Sequence, residues 1–207
     1  MNEPDLHSYV EAEILPRYDA FDKAHRRPHV ERVIRDALAL AVFYPVDREM
    51  VYAAAAFHDT GLCAGRETHH LVSGRIIRED PCLPRWFSPA QIETVAQAAE
   101  DHRASLGHAP RSLYGRIIAE ADRQIEPETI IRRTVQYGLA HYPELGREEH
   151  WRRTLEHLHE KYAEGGYLRL WIPESPNAGR LAELRRIIAD EERLRILFEQ
   201  LFDAETA

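Results

Sequence analysis

The stretch AAAAFHDTG, residues 53 to 61, decides how the rest of the chain is read. Its run of small apolar residues reads as a buried helix that delivers His58 and Asp59 at its C-terminal end. Neighbouring helical residues point about 100° apart, so both side chains reach one point only where the backbone can turn away from the helix. Gly61 is expected to supply that turn. Taken alone, the pair is weak evidence and is better read as a buried histidine capping a helix. What separates the two readings is whether other ligands occur at helix-compatible positions elsewhere.

Working outward, Pro45-Val46-Asp47 closes the preceding segment, and Asp47 is placed to cap the helix that runs through Val51, Ala54 and Ala55 to His58. Upstream, Pro28 suits a first helical turn, and Val30, Val33, Ile34, Ala37, Leu38 and Ala41 recur with helical period, which puts His29 at the start of that helix. Downstream, His69 opens a helix marked by Val72, Ile76 and Ile77 that ends before Pro81. Ser88-Pro89-Ala90-Gln91 has the form of a capping box, and Ile92, Val95, Ala99 and His102 share the face that follows it. Ser112 caps a further helix in which Asp122 lies on the buried side with Ile118.

The ends of the chain carry less chemistry. Leu6, Tyr9 or Val10, and Ile14 give a short amphipathic helix stopped by Pro16. The last third predicts helices from Pro127 through Leu139, over 147 to 163, and as one long amphipathic helix from Asn177 to Phe202. Between the last two, GGYLRLWIPESP is a turn-rich packing segment. No alternating pattern is long enough for a sheet, so the class is all-α. No Ser/Gly-rich linker divides the 207 residues, which reads as one domain over 1–207 with a core at about 18–135 and C-terminal helices at about 127–203.

Charge and composition narrow the function. With 27 Lys+Arg against 35 Asp+Glu the formal net charge is −8, which argues against nucleic-acid or membrane partners held by bulk charge. Cys63 and Cys82 form no CxxC pair, the N-terminus has neither a basic nor an apolar leader region, and no apolar run approaches the roughly 18 residues of a membrane span. A cytoplasmic setting is the expectation. The 12 histidines stand out, because histidine is the commonest metal ligand.

Collected in order, the inward-facing candidates are His29, His58, Asp59, His69, His102 and Asp122, each near the start or end of a separate helix except for the adjacent pair. Ligands projecting from facing helices into one centre are a helix-bundle pattern. Four imidazoles and two carboxylates suit iron, manganese, cobalt, nickel or zinc, and the lack of a thiolate cluster argues against a structural zinc site. Six groups are too many for one catalytic ion with an open position. They suffice for two divalent ions sharing Asp59 as a bridge.

The order H…HD…H…H…D resembles the HD superfamily of metal-dependent phosphohydrolases. The similarity rests on HVERVIRDALALA at His29, AAFHDTG, HHLVSG at His69, AAEDHRAS at His102 and IIAEADR at Asp122, and covers roughly residues 18 to 135. It is closest to small stand-alone HD proteins that carry a DxxH segment, matched here by Asp22 and His25. The resemblance implies one ion on His29, His58, Asp59 and Asp122, and a second on Asp59, His69 and His102. His69 and His70 are adjacent, and the spacing to Ser73-Gly74 favours His69. No GYP segment or long extra region points to the cyclic-di-GMP or alarmone branches.

By the same resemblance the expected activity is hydrolysis of a phosphomonoester or phosphodiester, a nucleotide among the candidates, by a hydroxide between the metals. Asp59, His25, Lys23 and Arg103 are the residues expected at the chemistry. Lys23, Arg26, Arg103 and Arg123 flank the ligands and would suit an anionic phosphate, each with the alternative of a solvated surface cation. Asp22 and His25 are either a buried capping pair or part of the site. Cys63 reads as pocket lining, and His108, His141, His150, His157 and His159 as surface residues. Because ligand imidazoles must be neutral, activity is expected to fall below about pH 6. An HD-type mixed-valent diiron oxygenase similar to myo-inositol oxygenase, and a non-catalytic regulatory HD module, are the competing classes. The long C-terminal helix offers a face for a homodimer.

Overall fold

A computed structural model describes residues 4–22 and 25–206. It is all-α: ten α-helices with short π and 3-10 turns, and no strand among the described residues. The chain divides into two compact units, one of residues 1–123 with Trp171–Ser175, the other of 124–170 with 176–207.

The first unit is built around α3 (Arg48–Phe57), whose residues from Met50 to Phe57 are all buried. Asp47 caps it as the sequence predicts, accepting from the Glu49 and Met50 amides at 2.9 and 3.4 Å. Four consecutive alanines leave little side-chain bulk, and interaxial distance depends on that bulk, so neighbours can close in on several sides. Those neighbours are α2 (Arg27–Ala41), α5 (Pro89–Glu100) and α6 (Leu113–Asp122), while α4 (His69–Glu79) packs on α5 and on the 3-10 turn Thr60–Ala64. The Ser88–Gln91 capping box forms at the start of α5, and Ser112 Oγ accepts from the Gly115 amide at 3.2 Å at the start of α6.

Two local expectations need correction. The N-terminal helix α1 (Leu6–Tyr9) is not stopped by Pro16; it continues through a π turn, Val10–Ile14, into a 3-10 turn, Leu15–Ala20. Pro16 lies in the first turn of that last segment, where its missing N–H removes no helical bond. Gly61 does not turn the chain through a left-handed conformation, since the positive-φ residues are Gly65 and Gly165. It is needed for close approach instead: a Cβ there would lie 2.0 Å from the His69 carbonyl oxygen and 2.6 Å from the Ser73 amide. Its own amide donates to Ser73 Oγ at 2.9 Å.

Part of the GGYLRLWIPESP stretch belongs to this first unit. Ile172 is buried, the Trp171 amide donates to Glu120 Oε2 at 2.7 Å, and Tyr44 donates to Glu174.

The second unit packs α7 (Pro127–His141), α8 (Arg147–Lys161), α9 (Asn177–Ala189) and α10 (Glu191–Thr206) around Trp151, Leu158, Leu184, Leu194 and Phe198. The single long helix expected over 177–202 is two, because Asp190 leaves helical geometry (φ −98°, ψ 84°) and its carboxylate caps the next turn through the Arg193 amide at 3.0 Å. His150, expected at the surface, is 2% exposed and lies against Phe202. Gly138 makes the room: a Cβ there would sit 2.8 Å from His150 Nδ1. His108, His141 and His159 are exposed and His157 is half-buried.

Candidate metal centre

The six residues singled out by helix position converge in the first unit. His29 Nε2 lies 3.3 Å from His58 Nε2, 3.4 Å from Asp59 Oδ2 and 3.3 Å from Asp122 Oδ1. His58 Nε2 is 3.2 Å from the same Asp59 Oδ2 and 3.8 Å from Asp122 Oδ1. On the other side, His69 and His102 bring their Nε2 atoms to 3.1 Å, at 3.3 and 3.4 Å from Asp59 Oδ1. The two oxygens of one carboxylate therefore face two different histidine pairs. It is the His69 ring that reaches this centre; His70 is buried beside it with Nδ1 lacking a hydrogen-bond partner.

The histidines are aimed by the backbone. His58, His69 and His102 each donate from Nδ1 to the carbonyl three residues earlier, to Ala55 at 2.8 Å, Arg66 at 2.8 Å and Ala99 at 2.5 Å. For His58 and His102 those carbonyls belong to the last turns of α3 and α5, where acceptors have no intrahelical partner. The bond fixes the Nδ1–H tautomer and leaves the Nε2 lone pair directed inward, as in imidazoles that ligate metals. Three overlapping groups, His29 with His58 and Asp59, His58 with His102 and Asp122, and Asp59 with His69 and His102, hold donor atoms within 4.8 Å of one another.

The titratable groups of the centre shift one another. Burial would raise the Asp59 carboxyl, but His58 and the hydrogen bonds from surrounding histidines hold it well below the ordinary carboxylate range. Asp122 is lowered likewise, burial being outweighed by His29 and His58. Burial lowers His29, and burial together with His102 lowers His69 to about 4. His58 goes the other way: burial pushes it down, but Asp59 and Asp122 outweigh that and lift it to about 9. The donor set and its orientation fit divalent metal. His58, Asp59 and His102 are almost fully buried, whereas His29, His69 and Asp122 are each partly exposed.

The remaining expected residues are placed less uniformly. His25 Nδ1 pairs with Asp22 Oδ1 at 2.9 Å, and its ring centre is 5.5 Å from that of His29. Lys23 lies outside the described residues. Arg26 precedes α2 and reaches the Phe21 carbonyl at 3.4 Å, and Arg103 donates to the Glu67 carbonyl at 2.6 Å. Arg123 folds back onto the Ala119 carbonyl of α6, and burial lowers its pKa.

Two residues that support the centre carry no signal in the sequence reading. Tyr18, fully buried, donates from its hydroxyl to the Ala56 carbonyl at 2.8 Å and accepts from the Asp59 amide at 3.3 Å, which pins the backbone at the His-Asp pair. Arg32 donates to the Ala121 carbonyl at 3.0 Å and lies 3.4 Å from both His29 Nδ1 and the Asp122 carbonyl, joining the start of α2 to the end of α6.

Comparison with known proteins agrees with this geometry. The family model described as HD domain matches residues 26–124, a span that contains all six converging residues. The tRNA (cytidine(56)-2'-O)-methyltransferase of Picrophilus torridus is 28% identical over 142 residues, 63% of this chain and 41% of that protein. The chain thus spans less than half the length of that relative. No solved structure matches the chain. Four histidines and two aspartates meet inside the matched span, so the part of the chain that is similar to the HD domain family, residues 26–124, is the part that carries the candidate metal centre.

Proposed function

We propose that this protein hydrolyses a small phosphate ester, a phosphomonoester or phosphodiester with nucleotides among the candidates, at a two-metal centre bridged by Asp59. The observation that supports it is the division of Asp59: Oδ2 faces His29 and His58, and Oδ1 faces His69 and His102. A pair of divalent ions supplies an acidified water and offsets charge on phosphoryl oxygens. The chain's own groups do the rest. The Nδ1–H bonds to Ala55, Arg66 and Ala99 keep the imidazoles from rotating. Asp122 and His29, both partly exposed, leave room for a substrate to approach. His25, oriented by Asp22 and beside His29, is placed to exchange a proton with a departing alcohol.

The test is phosphate release from bis(p-nitrophenyl) phosphate and a panel of nucleotides by protein loaded with manganese, cobalt or zinc. The wild type is expected to turn over at least one substrate, with His58→Ala and Asp59→Ala losing at least about a hundredfold. Equal rates in all three proteins would sink the reading. Purified protein that contains iron and consumes oxygen would move it to the oxygenase class.

A further inference from the structure

The geometry points to Arg66 as the side chain that grips the phosphate of the substrate at the mouth of the centre, an inference that rests on the phosphohydrolase reading above. Arg66 contacts one half of the metal centre directly and approaches the other through His25. Its carbonyl accepts from His69 Nδ1 at 2.8 Å, so its backbone is fixed to one half. Its guanidinium lies 3.2 Å from both ring nitrogens of His25, whose ring neighbours that of His29 in the other half. The side chain therefore crosses from the His69 side to the His29 side.

The backbone is shaped for this. Gly65 sits at φ +98°, a conformation that favours glycine, and its turn carries Arg66 back toward His25. Arg103 then ties the same loop down through the Glu67 carbonyl at 2.6 Å. Arg103, Arg26 and Arg123 each donate to a main-chain carbonyl. Arg66 differs: its contacts are with the side chains of His25 and Asp22, the latter at 3.8 Å, and its own side chain is 61% exposed. An exposed ion pair of that length is weak. A phosphate offers the guanidinium a planar, bidentate, charge-assisted partner in its place. Asp22 would then hold the guanidinium near the centre until an oxyanion displaces it.

The probe is inorganic phosphate, titrated calorimetrically into metal-loaded wild type, Arg66→Ala and Arg66→Gln, with metal content measured on the same samples. Loss of the guanidinium is expected to weaken phosphate binding about 10- to 100-fold at unchanged metal stoichiometry. With bis(p-nitrophenyl) phosphate the loss should appear mainly in KM. If the alanine variant sheds metal because the loop shifts, the glutamine variant, close in length and uncharged, decides the question. Wild-type affinity in either variant at full metal content overturns the assignment and leaves the phosphohydrolase reading standing. A metal-loaded wild type that neither binds phosphate nor hydrolyses any ester overturns both.

Discussion

Asp59 is the residue whose removal separates a shared centre from two independent ones. Because its two oxygens face different histidine pairs, Asp59→Asn should release both metal equivalents, whereas His102→Ala should keep about one. Elemental analysis after gel filtration reads this directly, and the same stoichiometry in both variants would end the bridge. The converging residues were legible in the sequence only as a set: a single histidine or aspartate at the end of an apolar helix face also reads as a cap, and it was the recurrence of such residues at several helix ends that singled them out. Tyr18 and Arg32 were not visible, although each holds a ligand in place. A tyrosine hydroxyl shared between the Ala56 carbonyl and the Asp59 amide is a contact across 38 to 41 positions, and no spacing rule encodes it. His150 shows the converse error, since a polar neighbourhood in sequence said nothing about the space left by Gly138.

At the scale of the elements, the helices were legible where caps and periodicity agreed, as at Asp47, Ser88 and Ser112, and misread where a short polar side chain interrupted the pattern, as at Asp190. The packing of α4 against the His-Asp turn depends on Gly61, and this can be tested. Gly61→Ala puts a Cβ against the backbone of His69 and Ser73, which cannot yield by rotating a side chain. Helix α4 must shift, so this variant is expected to lose metal from the His69–His102 half first and to lose roughly 1–3 kcal/mol of stability, as overpacked sites do. Metal counting and urea melts check both, and an alanine variant with full metal and wild-type stability would refute the close-approach role. The α4–α5 pair has a second lock, Arg78, which donates to Glu93 at 2.7 and 3.0 Å and to Glu100 at 2.5 Å. The Arg78 hydrogen bond lowers the Glu93 carboxyl from its ordinary 4.5 to about 2. A group lowered in the folded state stabilises it above the unfolded pKa and loses that contribution as pH falls through the folded one. Stability should therefore decline between about pH 4.5 and 2, and Glu93→Gln should flatten that part of an acid-unfolding curve followed by circular dichroism. An unchanged slope would mean that the exposed pair contributes nothing measurable.

At the scale of the whole molecule, the decisive fact is that every converging ligand, from His29 to Asp122, comes from the first of the two compact units. No helix is long and apolar enough to cross a membrane among the described residues. Ligand binding stabilises a folded state by RT ln(1 + [L]/Kd), about 2.7 kcal/mol for a ligand present at a hundred times its Kd. A metal's contribution would act on the elements that carry its ligands, which are the starts of α2 and α4 and the ends of α3, α5 and α6. Buried carboxylates left without a cation and imidazoles left without a ligand bond will loosen those helix ends first. Stripping the protein with a chelator should therefore lower the melting temperature and speed amide exchange in α2 to α6, with α7 to α10 much less affected. Asp59→Asn, which is expected to start without metal, should show no response to the same chelator. Hydrogen exchange followed by mass spectrometry resolves the two units, and acceleration spread evenly over both would mean that the metal centre stabilises the chain by a route other than its own ligands.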